Sequence, residues 1–121
     1  MSPFSYVDGV EPHKIWNGVN GRVVDGSEAT LAVIELDPNA VVPEHSHANE
    51  QLGVLISGSL RFRIGSETQE LGPGGMWLIQ QHVPHDVAVG PEGAVLVEAF
   101  APRRADWESL ERLPATTPRW P

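Results

Sequence analysis

Short apolar stretches, each closed by Gly, Pro or Asn, recur along most of the chain. Residues 60–64 read Leu-Arg-Phe-Arg-Ile, and this strict alternation is typical of a strand with one buried face. Residues 29–37 are apolar on both faces, so we expect both faces of that strand to be covered. Together the pattern predicts strands at 13–16, 21–24, 29–37, 41–47, 52–56, 60–64, 68–71, 76–79, 85–89 and 94–101.

Roughly nine or ten short strands without intervening helices predict an all-β fold, either a barrel or a sandwich. Three apolar residues at helical spacing predict one short helix within residues 105–113, ahead of a Pro-rich tail. A chain of 121 residues is long enough for one hydrophobic core and too short for two. We therefore predict a single domain over 1–121, with an N-terminal arm over 1–24, a barrel over 29–101, and a C-terminal helix and tail over 105–121.

Two histidines one residue apart, His45 and His47, end the strand predicted at 41–47. Residues i and i+2 of a strand point to the same face, so the two imidazoles can meet at one point. Gln51 shares their parity, whereas Glu50 has the opposite parity and is expected to point away. Two imidazoles with an oxygen acceptor close behind are typical of a site for a borderline metal, although a polar loop would also carry such residues.

The stretch from Pro43 to Gly58 resembles the first motif of the cupins. In that motif His-x-His is followed after three or four residues by a carboxylate or amide, and six residues further on by Gly. The run that starts at Gly72 and ends at His85 resembles the second cupin motif. The resemblance covers residues 29–101 and implies a jelly-roll β-barrel, the double-stranded β-helix of the cupins.

The cupin resemblance also implies a set of metal ligands. Counting back from Gly58 by the family's spacing reaches Gln51, with Glu50 as the alternative. The implied ion is one divalent transition metal per chain, and three nitrogens with one amide oxygen suit Zn, Ni, Mn, Fe or Cu. The expected ligands are His45, His47, Gln51 and His85, while His82 is expected at the rim and His13 at the surface or in an interface.

The last strand carries a second group of candidate residues. Leu96, Glu98 and Phe100 share one face, and a carboxylate placed there beside a cation can exchange a proton near neutral pH. Arg104 lies four residues after Phe100 and can fork onto a substrate carboxylate, although it is also compatible with a surface arginine. Most cupins have Glu where this chain has Gln51, and a neutral ligand leaves a bound ion a stronger Lewis acid.

Glu98, Phe100 and Arg104 resemble the Asp-x-Phe-x-x-x-Arg pattern of the pectin-degradation cupins, with Glu in place of Asp. This resemblance implies a metal-dependent isomerase that opens small unsaturated uronate sugars to linear keto forms. Glu98 and Arg104 would be catalytic, and Phe100 and Arg104 would bind substrate. A metal-dependent dioxygenase, another cupin cyclase or isomerase, and a non-catalytic sugar-binding cupin remain open.

Composition narrows the partners. The net charge of −8 opposes binding to nucleic acid, which requires clusters of Lys and Arg against the phosphates. The absence of cysteine excludes disulfides and thiolate metal sites and is compatible with a reducing compartment. With no apolar run of membrane-spanning length and no signal-like N-terminus, we expect a cytoplasmic protein that binds a small anionic molecule. The strand with two apolar faces predicts a homodimer.

Overall fold

Two long strands cross the whole molecule and take part in both layers of its folded sheet. The computed structural model describes residues 2–121, and these strands are β5 (Glu50–Ile64) and β8 (His85–Ala101). Two 3-10 helices, Val7–Gly9 and Ala105–Ser109, lie near the ends of the chain. The other strands are β1 (His13–Trp16), β2 (Val19–Asp25), β3 (Thr30–Leu36), β4 (Val41–His45), β6 (Glu67–Leu71) and β7 (Met76–Ile79).

The strand pairing is antiparallel throughout the described residues and forms two layers. In the first layer β1, β2 and β3 follow one another, and the C-terminal half of β8, the N-terminal half of β5 and β7 complete it. In the second layer the N-terminal half of β8 lies between β4 and the C-terminal half of β5, and β6 forms the far edge. This all-β arrangement confirms the predicted fold class.

Glycines allow β5 and β8 to bend where they pass from one layer to the other. Gly58 has φ 85° and Gly93 has φ 77°, a region that side chains other than Gly rarely adopt. A Cβ on Gly58 would overlap the carbonyl group of Gly93. Residues 90–93 of β8 are not paired with β5, but the two strands are paired on both sides of this segment. The strands predicted separately at 52–56 and 60–64, and at 85–89 and 94–101, are therefore halves of β5 and β8.

Alternation along the strands separates the core from the surface. On β3 the side chains of Ala32, Ile34 and Leu36 are buried between the layers, whereas Leu31 on the opposite face is 51% exposed. One face of this strand is therefore covered within the chain, and cover of the opposite face by a partner chain stays a prediction. An apolar row crosses the outer face of the first layer through paired residues, and we call it the outer row: Val24, Leu31, Ala99, Leu52 and Leu78.

The C-terminal segment is less helical than its apolar spacing predicts. The 3-10 helix ends at Ser109, and the chain then runs along β1, where the Glu111 carbonyl accepts a hydrogen bond from the Lys14 amide at 2.9 Å. The short helix predicted within 105–113 is therefore present as a 3-10 helix over Ala105–Ser109, and this pairing takes the place of its remainder. His13 of β1 forms an isolated bridge with Arg112 of this segment and is 4% exposed, which corrects its predicted surface position. Within residues 2–121, no helix is long and apolar enough to span a membrane.

Candidate metal centre

Three imidazoles meet at one end of the barrel. His45 ends β4 and is paired across the sheet with His85, the first residue of β8. His47 follows two residues after His45, and one ring nitrogen from each of the three lies within 4.8 Å of those of the other two. The ring centroids of His45 and His85 are 4.3 Å apart, and those of His47 and His85 are 5.0 Å apart. Strand pairing therefore brings together His45 and His85, which are 40 positions apart in the sequence.

Backbone carbonyls fix the orientation of all three rings. The Nδ1 atom of His45 lies 2.8 Å from the Pro43 carbonyl oxygen, that of His47 lies 3.0 Å from the Asn49 oxygen, and that of His85 lies 2.9 Å from the Val83 oxygen. A carbonyl oxygen only accepts, so each Nδ1 carries the proton and donates it. In a neutral ring this leaves the Nε2 lone pair free, which is the tautomer that binds a metal.

The loop before His85 also supports the cluster. The backbone N–H of His82 donates to the carbonyl of His47 at 2.8 Å, although the His82 side chain is exposed and outside the group of three. His82 adopts φ 66°, so this contact requires an unusual backbone conformation. His82 therefore acts on the centre through its main chain.

The environment keeps two of the imidazoles neutral. Burial lowers the pKa of His85 to about 4, helped by the neighbouring His45, His47 and Arg104. Burial also lowers the pKa of His47, and the charge of Arg104 adds to that effect. Both rings are therefore available as neutral nitrogen ligands at neutral pH.

The polar atoms at the centre fit a cation. The Nε2 atom of His85 is buried and has no hydrogen-bond partner among the described residues, a situation that is costly for a buried polar atom. The Nε2 atom of His47 faces the Oε1 atom of Gln51 at 3.0 Å, so two groups with lone pairs oppose one another. A divalent transition metal shared by these atoms satisfies all of them. His45, His47 and His85 could hold the ion, and the amide oxygen of Gln51 is correctly turned to be a fourth ligand.

Gln51 links this cluster to a buried carboxylate. Its amide nitrogen donates to Glu98 Oε2, which fixes the amide so that its oxygen faces His47. Gln51 is buried near the N-terminal end of β5, whereas its neighbour Glu50 is exposed. Gln51 therefore points inward and Glu50 outward, as their opposite parity on the strand predicts.

Glu98 accepts a second hydrogen bond that the sequence did not predict. The indole Nε1 of Trp77 donates to the same oxygen, Oε2, at 3.0 Å. Trp77 and Glu98 are on β7 and β8 and are both paired with Gly53 of β5. A Cβ on Gly53 would overlap the indole, so Trp77 can reach Glu98 only across a glycine. The only feature of the sequence that pointed to this contact was a glycine inside a strand pattern.

The cavity beside the centre is mostly apolar. It has a volume of about 250 Å³, and its polar wall includes His45, Gln51, His85 and Glu98. Burial raises the pKa of Glu98 to about 7, although the hydrogen bonds from Gln51 and Trp77 and the charge of Arg104 oppose that shift. The carboxyl group can therefore carry or release a proton near neutral pH. The apolar wall consists of Ile15, Trp16, Val19, Ile34, Leu36, Val42, Phe62, Val87, Leu96, Phe100, Trp107 and Leu110.

Arg104 also lines this cavity, where it contacts two aromatic rings. Its Cζ atom lies 4.9 Å from the ring centroid of Phe100 and 4.3 Å from that of Trp107. Asp106 binds the guanidinium group, accepting from Nε at 3.1 Å and from Nη2 at 2.9 Å. The surface alternative for Arg104 is wrong, since Arg104 is buried. Nothing in the sequence pattern indicated a role for Asp106.

Comparison with known proteins agrees with this geometry. Residues 32–100 match the family model of the cupin domain, which is more than half of the chain. The chain belongs to the cupin family. The resemblance found in the two histidine-bearing motifs is thereby confirmed.

Several cupins are similar over most of their length. The pectin degradation protein KdgF of Dickeya dadantii (strain 3937) is 25% identical over 105 residues, covering 84% of this chain and 96% of that protein. An RmlC-like cupin from Shewanella frigidimarina has a TM-score of 0.81 at 23% identity, covering 88% of this chain and 96% of that one. KdgF from Halomonas sp. has a TM-score of 0.79 at 20% identity, covering 88% and 98%. The two structural similarities establish the fold.

Proposed function

We propose that this cupin is a metal-dependent isomerase that opens small unsaturated uronate sugars to linear keto forms. One observation carries the proposal: Gln51 joins the histidine cluster and the Glu98 carboxylate, so a proton carrier lies beside the metal centre in a mostly apolar cavity. The similarity to the pectin degradation protein KdgF supports the choice of substrate. The reaction has no net oxidation, which suits a site whose fourth ligand is a neutral amide.

The reaction requires two proton movements, and Glu98 is positioned for both. The anomeric hydroxyl loses its proton as the bond between the anomeric carbon and the ring oxygen breaks, and the ring oxygen takes up a proton, which leaves an aldehyde and an enol. The enol then loses its O–H proton and gains one at carbon, giving the keto form. Glu98 accepts and returns these protons in our proposal, since its pKa of about 7 suits both directions.

Other residues hold and orient the substrate in this proposal. A divalent ion held by His45, His47, Gln51 and His85 would supply Lewis acidity toward substrate oxygens. Phe100 packs against the sugar ring, and Arg104 binds the uronate carboxylate. The apolar wall excludes water, which strengthens the electrostatic interactions inside the cavity.

The substitution Glu98→Gln tests the chemical step. We expect the variant to retain its metal and its fold but to lose turnover by about 10²–10⁴-fold, the usual contribution of a general acid–base group. Turnover is followed by the loss of ultraviolet absorbance of an unsaturated uronate, and metal content by elemental analysis. The matched control is Glu92→Gln, an exposed carboxylate of the same strand, which should leave turnover unchanged. Full turnover in Glu98→Gln, or oxygen consumption in place of isomerisation, would contradict the proposal.

We also propose that the protein is a homodimer joined through the outer row. Leu31 and Leu52 lie on either side of their shared partner Ala99 on this face, and both are half exposed in a single chain. Leu31→Asp should shift the mass in solution from dimer to monomer, because the charge would be buried at the interface. Val41→Asp, at an exposed apolar position on β4, is the control and should stay dimeric. A monomeric wild type would refute this assembly.

A further inference from the structure

Arg104 is held more rigidly than a surface arginine. Its side chain is 9% exposed, and its guanidinium group contacts the rings of both Phe100 and Trp107, which are themselves in edge-to-face contact. Its backbone N–H donates to the buried Thr30 hydroxyl at 2.9 Å, which ties the start of the C-terminal segment to β3. The guanidinium group donates its hydrogen bonds from its edges, in its own plane.

One of those edges is already bound to a carboxylate of the same chain. Asp106 forks onto Nε and Nη2, the arrangement that a substrate carboxylate would adopt. The Asp106 side chain is 62% exposed and belongs to the short 3-10 helix at the rim of the cavity. The hydrogen bond from Arg104 also lowers the pKa of Asp106, so the pair is charged at neutral pH. Of the two partners, Asp106 is the one that can rotate into water.

We propose that Asp106 determines the specificity of this site by occupying the anion position on Arg104 until a small carboxylate ligand displaces it. The inference rests on the proposed function only in that the ligand is a small carboxylate. An anionic ligand exchanges one carboxylate for another at Arg104 and gains little from that contact alone. It must therefore also bind the metal centre and the apolar wall, which excludes anions that lack a second point of attachment.

The variant Asp106→Asn removes the competing charge and keeps the shape of the side chain. The probe is 2-furoate, a planar ring monocarboxylate, and its neutral counterpart 2-furamide reports on the cavity without the charge. Binding of each to Zn²⁺-reconstituted protein is measured by calorimetry, without turnover. We expect Asp106→Asn to bind 2-furoate about fivefold tighter or more, and 2-furamide with unchanged affinity.

Glu108→Gln is the matched control. Glu108 lies on the same 3-10 helix and pairs with Arg103 at 2.6 Å, so this variant removes the same charge without touching Arg104. It should leave 2-furoate binding within about twofold of wild type, since exposed charges are screened. The double variant Asp106→Asn with Arg104→Gln should lose the gain in 2-furoate affinity that Asp106→Asn alone shows.

Three results would overturn the proposal. Unchanged 2-furoate binding in Asp106→Asn would show that Asp106 does not compete at Arg104. Weaker binding would show instead that Asp106 positions Arg104. Failure of both wild type and Asp106→Asn to bind 2-furoate would show that Arg104 is no anion site. A protein that fails to isomerise uronates but binds 2-furoate as expected would contradict the proposed function and leave this inference intact.

Discussion

At the scale of single residues, the neutral amide of Gln51 serves two groups at once. Its oxygen faces His47 and its nitrogen donates to Glu98, so a change at this position alters both the candidate metal centre and the carboxylate that we propose as the proton carrier. A carboxylate at position 51 could still bind an ion through oxygen, but it could not donate to Glu98. The amide therefore permits a carboxylate to lie beside the centre without a second negative charge in contact with it.

Gln51→Glu should retain the metal and lose most of the activity. The new carboxylate neutralises part of the ion's charge and repels Glu98, and we expect turnover to fall by about tenfold or more. Elemental analysis and the ultraviolet assay measure the two effects separately. Gln69→Glu makes the same exchange at an exposed site on β6 and should change neither quantity. A Gln51→Glu variant as active as wild type would show that the neutral ligand is not required.

At the scale of strands, three neighbouring elements build the environment of Glu98. Gly53 of β5 lies between Trp77 of β7 and Glu98 of β8, and its missing side chain leaves room for the indole to cross. Packing and hydrogen bonding are coupled here, because the ring that fills the space above Gly53 also donates to Glu98.

Gly53→Ala should therefore damage stability and activity together. The added methyl group overlaps the Trp77 indole, and overpacking of this kind costs about 1–3 kcal/mol of unfolding free energy. Urea unfolding measures that loss, and turnover should also fall because the indole moves away from Glu98. Gly72→Ala is the control, since an added Cβ there meets nothing within 4 Å among the described residues. Equal stability of the two variants would rule out the packing argument.

The sequence predicted those parts of the site that depend on the two-residue period of a strand. That period alone separates Gln51 from Glu50 and turns Glu98 inward with Phe100. The contact between Trp77 and Glu98 depends on how β7 and β8 align with β5, and no local pattern determines that register. The two hydrogen bonds between Arg104 and Asp106 likewise depend on a tight 3-10 turn, which the helical spacing of the apolar residues did not predict.

The dependence on tertiary pairing also explains why two predicted boundaries differ from the observed elements. Ser57-Gly58 and residues 90–93 carry turn composition, but ladders on both sides keep β5 and β8 continuous through their bends. Residues 105–113 have helical spacing, but the 3-10 helix ends at Ser109 and pairing of Glu111 with Lys14 on β1 replaces it beyond that point. In each case tertiary hydrogen bonds outweighed a local preference. The cytoplasmic location and the absence of a nucleic-acid partner stay predictions.

At the scale of the whole molecule, a buried ion pair fastens both ends of the chain to β2 and β3. Arg22 donates to Glu35 at 2.7 Å and also to the carbonyls of Val7 and Val10 in the N-terminal arm. The backbone N–H of Arg119 in the tail donates to Glu35 at 2.9 Å. Both members of the pair are buried, so loss of either one leaves an uncompensated charge.

This cluster gives the fold a defined dependence on pH. Burial alone would raise the pKa of Glu35, but hydrogen bonds from Arg119 and Arg22 and their charges hold it below its ordinary value of 4.5. A carboxyl group whose pKa is lower in the folded state stabilises the fold above its unfolded pKa. That contribution is lost as pH falls from 4.5 through the lower folded value.

Glu35→Gln should lower the free energy of unfolding by about 3–5 kcal/mol at neutral pH, the usual effect of breaking a buried ion pair. Urea unfolding at a series of pH values measures the difference from wild type, which should narrow below pH 4.5 as Glu35 in the wild type takes up a proton. Glu70→Gln removes one partner of the exposed Arg61–Glu70 pair and should cost about 0–1 kcal/mol at every pH. If the Glu35→Gln difference were the same at pH 7 and at pH 3, protonation of Glu35 would not govern the acid sensitivity of the fold. The arm and tail would then be held by their backbone hydrogen bonds instead of by this charge.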